Sequence, residues 1–329
     1  MSLLISVVIC TYNRSDLLTD ALQTVCQQTL DHAEYEVIVV DNNSTDKTRD
    51  VTQSFVARYS NVRYCLEPQQ ALSHARNRGW QEAKGEIVAY IDDDVKLPPE
   101  WLMVAKEVIK NVSPDVLSGP SFAFYNSPKP YWFKDSYGSH EPYDKAGISE
   151  QPDELYGHNL LFRRELLAQS GGFDPTLGMV GDQIAYGEET ALLRHIQTTM
   201  PETLMYYEPK LYLYHLVRPE KMTWGWLIKE RFIKGRYVYR VFRANRENKA
   251  KLFAIIREAL IVSLRLLLGI ILFSHFRRRD KQPYWQQYLY ESSLNHVKRL
   301  GMIYEQFQQR QPGIYRANHS ANDPARIVK

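Results

Sequence analysis

Short apolar runs alternate with helical patterns over the first 120 residues. Four runs predict strands because they are short and rich in β-branched residues: 4–9, 37–40, 62–66 and 87–91. Segments with helical spacing and start signals lie between them, including 15–28 and 71–83. Strands separated by helices predict an α/β fold with a mostly parallel, doubly wound sheet.

Polar residues follow three of these runs: Thr11-Tyr12-Asn13, Asp41-Asn42-Asn43 and Asp92-Asp93-Asp94. Ligands of such sheets bind at the carboxyl ends of the strands. Asp92 and Asp94 share a face if the strand persists, and their mutual repulsion favours a bound Mn²⁺ or Mg²⁺. Alternatively, the triplet is a solvated acidic turn. The chain has neither the glycine fingerprint of dinucleotide-binding dehydrogenases nor that of P-loop NTPases.

Composition indicates an ordinary globular protein, with 44% hydrophobic and 24% charged residues and a net charge of +3. The three cysteines, Cys10, Cys26 and Cys65, lack metal-type spacing and suit a reducing cytosol. The apolar N-terminus lacks a basic region and a cleavage site, so we interpret it as a strand and not as a signal peptide.

Four ordered segments, 6–14, 37–46, 75–79 and 85–94, read SVVICTYNR, VIVVDNNSTD, ARNRG and GEIVAYIDDD. In these segments the chain resembles the family 2 glycosyltransferases, whose catalytic domain has the A-type glycosyltransferase fold. The resemblance implies an inverting, metal-dependent enzyme, of hexosyltransferase type, that moves a sugar from a nucleotide-diphospho-sugar to an acceptor hydroxyl.

The resemblance also implies roles for the matching residues. Asp94 would ligate Mn²⁺ or Mg²⁺, and Asp92 would lie near the ribose. The donor-nucleotide site would comprise Thr11, Asp41, Arg76, Asp92 and Asp93, with Asp41 accepting a hydrogen bond from a base N–H. Alternatively, Asp41 only caps the turn before Ser44, and Arg76 is a surface charge on a helix.

Two later segments resemble the same family more loosely. Gly171-Gly172-Phe173-Asp174 precedes Gly187-Glu188-Glu189, where the family's second acid is the catalytic base. Glu189 occupies that position as a glutamate, so the assignment stays open between Glu188 and Glu189. Alternatively, both acids only favour a helix dipole. His215 would ligate the metal or touch the diphosphate, or it is structural.

The C-terminal third combines basic residues with an apolar run at 259–273. The run is shorter than the roughly 20 residues that span a bilayer, and it contains Arg265. An interfacial helix or hairpin on anionic lipid fits this pattern, and a helix packed on protein is the alternative. Nucleic acid is not expected, because it would leave the apolar run unexplained.

The predicted organisation is a catalytic domain over 1–217, with a donor half at 1–120 and an acceptor half at 121–217. A basic, apolar, membrane-facing helical extension follows at 218–310, and 311–329 is predicted to be a disordered tail. The enzyme would act on a saccharide or lipid-linked acceptor in polysaccharide or glycolipid assembly, in the cytoplasm on the inner face of the membrane. Nucleotidyl transfer and non-catalytic binding of sugar nucleotides are the competing functions.

Overall fold

The computed structural model describes residues 4–151, 154–243 and 252–309. The chain divides into two compact units. This division does not separate the donor half at 1–120 from the acceptor half at 121–217, so those halves stay a prediction. The first unit comprises Met1–Asn126, Asp135–Gln183 and Glu188–Val217, and the second comprises Ser127–Lys134, Ile184–Gly187 and Arg218–Lys329. The predicted tail at 311–329 lies outside the described residues.

The first unit contains eleven strands and six helices among its described residues. The strands are β1 (Ile5–Thr11), β2 (Tyr35–Asp41), β3 (Val62–Leu66), β4 (Ile87–Asp92), β5 (Val95–Lys96), β6 (Val116–Ser118), β7 (Ser121–Phe124), β8 (Gly147–Ile148), β9 (Asn159–Arg163), β10 (Met205–Tyr207) and β11 (Leu213–Leu216). The helices are α1 (Ser15–Cys26), α2 (Thr48–Val56), α3 (Leu72–Glu82), α4 (Trp101–Asn111), α5 (Arg164–Ser170) and α6 (Glu188–Thr199).

Eight strands form one sheet in the order β3-β2-β1-β4-β9-β6-β10-β8, and β5-β11-β7 form a second, small sheet. The four predicted strands are all present, and β1 pairs in parallel with both β2 and β4. The predicted α/β fold with a mostly parallel sheet is therefore confirmed. Strand β9 runs antiparallel to both β4 and β6. The sequence pattern did not indicate this reversal.

Both faces of the large sheet are buried, which explains the continuous apolar runs. On one face, alternate residues such as Val7 and Val37 pack with α1, α2 and α4. On the other face, the intervening residues, such as Val8 and Ile38, pack with α3, α5 and α6. Helix α3 approaches β1 at Gly79, where an added Cβ would collide with Val8. The glycine of the ARNRG segment therefore serves helix–sheet packing.

The described part of the second unit is helical. It contains α7 (Trp224–Arg243), α8 (Leu252–Ile271), α9 (Phe273–Phe276), α10 (Trp285–Tyr288) and α11 (Leu294–Gln308). Helices α7 and α11 pack closely at Gly235 and Gly301, where a Cβ would meet the backbone of the other helix. Glu305 on α11 is fully buried and accepts hydrogen bonds from Arg236 and Arg240 of α7.

Helix α8 packs on α11 through one side only. Ile255 and Val262 are buried there, clustered with Ile303. The opposite side exposes an apolar stripe at helical spacing, formed by Phe253, Ile256, Leu260, Leu264, Leu267 and Ile271. Within the described residues, no helix combines the length and the hydropathy needed to cross a bilayer.

Candidate active site

Strand ends from β1, β2 and β4 meet at one edge of the large sheet. The strand registers place Thr11 beside Asp41 and Cys10 beside Asp92. The two loops that follow β1 and β2 are joined, because Asn13 Oδ1 accepts a hydrogen bond from the Thr45 amide at 2.7 Å. This geometry brings together polar segments that lie far apart in the sequence, as the parallel topology predicts.

A cleft of about 100 Å³ opens at this edge. Three of the predicted donor-site residues line it: Thr11, Asp92 and Asp93. The other two, Asp41 and Arg76, are represented there by their chain neighbours Asn42 and Ala75. The far wall comes from Met179, Gly181 and Asp182. These wall residues lie in a loop without a recognisable motif, so the sequence did not indicate them.

Asp93 is buried beneath the cleft. Its carboxylate accepts hydrogen bonds from Thr11 Oγ1 at 2.8 Å and from the Arg14 guanidinium at 3.0 Å. Burial raises the pKa of Asp93 to about 6, against the opposing effect of Arg14. Arg14 belongs to the TYNR segment, but the sequence alone did not reveal that it pairs with Asp93.

Asp41 is also buried and bonded within the protein. Its Oδ1 accepts a hydrogen bond from the Ser44 amide at 2.8 Å, and its Oδ2 accepts one from the Tyr64 hydroxyl at 2.9 Å. The carboxylate therefore does cap the turn before Ser44. Each carboxylate oxygen can accept a further hydrogen bond, so this cap leaves capacity for a ligand.

Asp92, Asp94 and His215 form a cluster of potential metal ligands. One ligand atom from each lies within 4.8 Å of the others, and His215 Nε2 lies 3.1 Å from Asp94 Oδ1. The small sheet causes this approach, because β11 pairs with β5 and places His215 beside Val95. The family resemblance assigned Asp92 only to the donor site, and the structure makes it a candidate metal ligand together with Asp94 and His215.

The electrostatics of this cluster fit a cation. Burial raises the pKa of Asp92, and the charge of Asp94 raises it further. A divalent ion would offset the repulsion between these carboxylates. Two carboxylates and an imidazole form a set of ligands that suits Mn²⁺. The carboxylate oxygens alone also suit Mg²⁺.

Arg76 links this cluster to the acidic start of α6. Its guanidinium lies 4.0 Å from Asp92, 2.8 Å from Glu188 and 3.6 Å from Glu189. Arg76 is buried, so it is not a surface charge. Burial lowers the pKa of its guanidinium, but the three carboxylates raise it above the usual value and keep the group charged.

The two glutamates differ in their surroundings. The Glu188 side chain is 4% exposed, whereas that of Glu189 is 20% exposed. Burial, and secondly the charge of Glu189, raise the pKa of Glu188 to about 8. The GGFD segment is attached to α3, because the Asn77 side chain donates a hydrogen bond to the carbonyl of Phe173 and accepts one from its amide, both at 2.8 Å.

Comparisons with known proteins show the family of this chain. The family model "Glycosyl transferase family 2" matches residues 6–171, which is half of the chain and includes the cleft segments up to Asp94. The chain belongs to glycosyl transferase family 2. It is therefore a glycosyltransferase, and the resemblance found in the sequence is confirmed.

One relative of this family 2 enzyme is the glucosyl-dolichyl phosphate glucuronosyltransferase of Haloferax volcanii, which is 27% identical over 70% of this chain and 75% of its own. Among solved structures, the mannosyltransferase PcManGT of Pyrobaculum calidifontis, in complex with GDP-Man and Mn²⁺, matches with a TM-score of 0.60 at 18% identity. That match covers 90% of this chain and 86% of the other. S. aureus TarS 1–349 in complex with UDP-GlcNAc gives 0.54 at 17% identity over 94% and 92%. The structural likenesses confirm the A-type fold of the family 2 chain.

Proposed function

We propose that this chain is an inverting, metal-dependent glycosyltransferase that transfers a hexose from a nucleotide-diphospho-sugar to an acceptor hydroxyl. The observation that carries the proposal is the chain of contacts from Asp94 to Glu189. Asp94, His215 and Asp92 form a metal-binding group, and Arg76 connects Asp92 to the two glutamates. A leaving-group site and a candidate base thus lie on either side of one guanidinium.

The donor half would use the cleft. Asp92, Asp94 and His215 would hold Mn²⁺ or Mg²⁺, and the ion would supply positive charge that stabilises a diphosphate leaving group. Thr11, Asp41, Arg76, Asp92 and Asp93 would form the nucleotide site, with Asp41 and Thr11 near the nucleoside. Asp93 acts indirectly in this scheme, since it holds Thr11 and Arg14 in place. PcManGT and TarS have been solved in complex with GDP-Man and UDP-GlcNAc, respectively, which supports a sugar nucleotide as donor.

Glu189 is the base that fits the geometry better. Inverting transfer needs one carboxylate that takes the proton of the acceptor hydroxyl as its oxygen attacks the anomeric carbon. The Glu188 side chain is only 4% exposed, and its Oε1 accepts a 2.8 Å hydrogen bond from Arg76, so it has little access to an acceptor hydroxyl. The Glu189 side chain is 20% exposed and belongs to the same helical turn. Glu188 would instead anchor Arg76.

Family membership favours glycosyl transfer over the two competing functions, nucleotidyl transfer and non-catalytic sugar-nucleotide binding. The donor and product assay is the direct test of the proposal. Sugar nucleotides would be screened by thermal shift with Mn²⁺, where ligand at about 100 times its Kd adds about 2.7 kcal/mol. We expect one donor to raise Tm and to yield a product with inverted anomeric configuration by NMR. A retained configuration would refute the inverting mechanism.

The acceptor is proposed to be a saccharide or a lipid-linked saccharide, in polysaccharide or glycolipid assembly. The name of the Haloferax relative includes a lipid-phosphate sugar, which supports this class of acceptor. An enzyme acting on a lipid-linked acceptor must reach the membrane surface. We accordingly place it at the cytoplasmic face of the membrane.

The apolar stripe of α8 supports attachment to an anionic membrane. Phe253 and Leu260 are 76% and 66% exposed, although both are strongly apolar. Arg257 and Arg265 lie on the same helix, and Arg277-Arg278-Arg279 follow it. An amphipathic helix flanked by arginines can lie in the interface, with its apolar face in the acyl boundary and its cations at anionic headgroups.

A further inference from the structure

A second histidine lies directly against the candidate metal ligand His215. The ring of His158 stacks on that of His215, with centroids 4.7 Å apart and planes only 3° from parallel. His158 precedes β9, and its ring reaches His215 on β11. No motif marked His158, because the contact joins residues 57 positions apart that only the tertiary structure brings together.

His158 is itself held firmly. Its Nε2 lies 2.8 Å from Ser121 Oγ, a hydroxyl on β7, which is the strand that pairs with β11. The next residue, Asn159, donates side-chain hydrogen bonds to the carbonyls of Pro120 and Leu211 and accepts one from Ser118 Oγ at its own carbonyl. The ring of His158 is therefore held in place by its own contact with Ser121 and by the hydrogen bonds that fix the neighbouring Asn159.

The backbone just before His158 contacts the other half of the site. A Cβ added to Gly157 would come within 2.7 Å of the Arg76 guanidinium, so a side chain at this position would displace that group. One short segment thus packs against both Arg76 and His215. It connects the residue that pairs with the glutamates to a residue of the metal cluster.

We propose that His158 is a positioning residue that fixes the ring of His215 for binding the divalent cation. This inference rests on the proposed metal-dependent function. A ligand histidine binds an ion only when its lone pair points at it, and rotation about the Cβ–Cγ bond turns the lone pair away. The stack with His158 opposes that rotation, while the Nε2 of His215 faces Asp94.

The geometry argues against His158 as a ligand of the same ion. The two rings lie in nearly parallel planes, so an ion in the plane of His215 lies outside the plane of His158. In addition, the Nε2 of His158 is engaged with Ser121. Its contribution to the ion therefore passes through His215.

The test measures Mn²⁺ binding to the full-length protein by electron paramagnetic resonance, without donor or acceptor. His158→Ala removes the stack, and we expect its Kd for Mn²⁺ to rise about 10- to 100-fold, as when other outer partners of metal ligands are lost. His158→Phe keeps a flat ring and should restore the Kd to within about threefold of wild type. Ser121→Ala should fall between these variants. Co²⁺ absorption should show the altered ligand field in His158→Ala and a wild-type spectrum in His158→Phe.

Asp94→Ala separates the two hypotheses. If wild type binds Mn²⁺ and Asp94→Ala does not, the metal site stands, and His158→Ala then tests positioning alone. Wild-type affinity in His158→Ala would overturn the positioning role, as would equal weakening in His158→Ala and His158→Phe. If wild type does not bind Mn²⁺, or if Asp94→Ala binds it as tightly as wild type does, both the metal site and the inference are overturned.

Discussion

Replacing Glu189 by glutamine should remove the base while leaving the shape of the site intact. The Glu189 side chain is 20% exposed and lies 3.6 Å from Arg76, so an amide of equal size should fit without new strain. Loss of a general base costs on the order of 100- to 10,000-fold in rate, or about 2.7–5.5 kcal/mol of transition-state stabilisation. Donor affinity should change little, because the proposed donor residues come from other segments.

Glu188→Gln is the matched control, one residue away on the same helix. Glutamine keeps the size of Glu188 and removes its charge, which burial already disfavours because it raises the pKa of this carboxyl. The Gln oxygen can still accept the 2.8 Å hydrogen bond from Arg76. We expect the variant to lose no more than about 1 kcal/mol, or roughly fivefold in rate, which is the net worth of one weakened hydrogen bond.

The assay is transfer rate at saturating donor and acceptor, with donor Kd measured separately and folding checked by thermal denaturation. Single-turnover rates would separate chemistry from product release. Equal, small losses in both variants would refute the assignment of Glu189. A large loss in Glu188→Gln alone would reverse it.

Four further outcomes follow from the structure. Asp94→Ala should abolish transfer and Mn²⁺ binding with the fold retained, and full wild-type activity in excess chelator would contradict this. Asp41→Ala should raise donor Kd about tenfold or more, whereas Tyr64→Phe, which removes only the hydroxyl bonded to Asp41, should raise it far less; equal donor Kd values in Asp41→Ala and wild type would count against the assignment. Because the folded pKa of Glu188, about 8, exceeds its usual 4.5, its stabilising effect is complete below pH 4.5 and is lost as pH rises through 8. The Tm of wild type should therefore fall relative to Glu188→Gln between pH 5 and 8, and parallel Tm curves by calorimetry would disprove this linkage. Serine at three exposed positions of α8, Leu260, Leu264 and Leu267, should reduce co-sedimentation with anionic vesicles at least about tenfold. Neutral vesicles and high salt are the controls. Undiminished binding would show that another surface of the protein contacts the vesicles.

Local pattern was sufficient to predict the first strands, the helices between them and the polar loops at the strand ends. Strand β1 needs apolar residues on both faces because both faces of the sheet are covered, and that requirement is visible in the sequence. The order of the motifs then placed Thr11, Asp41 and Asp92 at one edge, since parallel strands end together.

Long-range pairing decided what local pattern could not. Antiparallel β9 inserts beside β4, and β11 pairs with β5, so His215 reaches Asp94 across more than a hundred residues. The contact of Arg76 with Glu188 likewise depends on how α3 and α6 pack on one face of the sheet. The sequence also left open whether the apolar stripe of α8 is covered or exposed, because both cases give the same pattern of apolar residues along the chain. Such contacts arise from tertiary packing, whose energy depends on which surfaces meet and not on the neighbours of a residue in the chain.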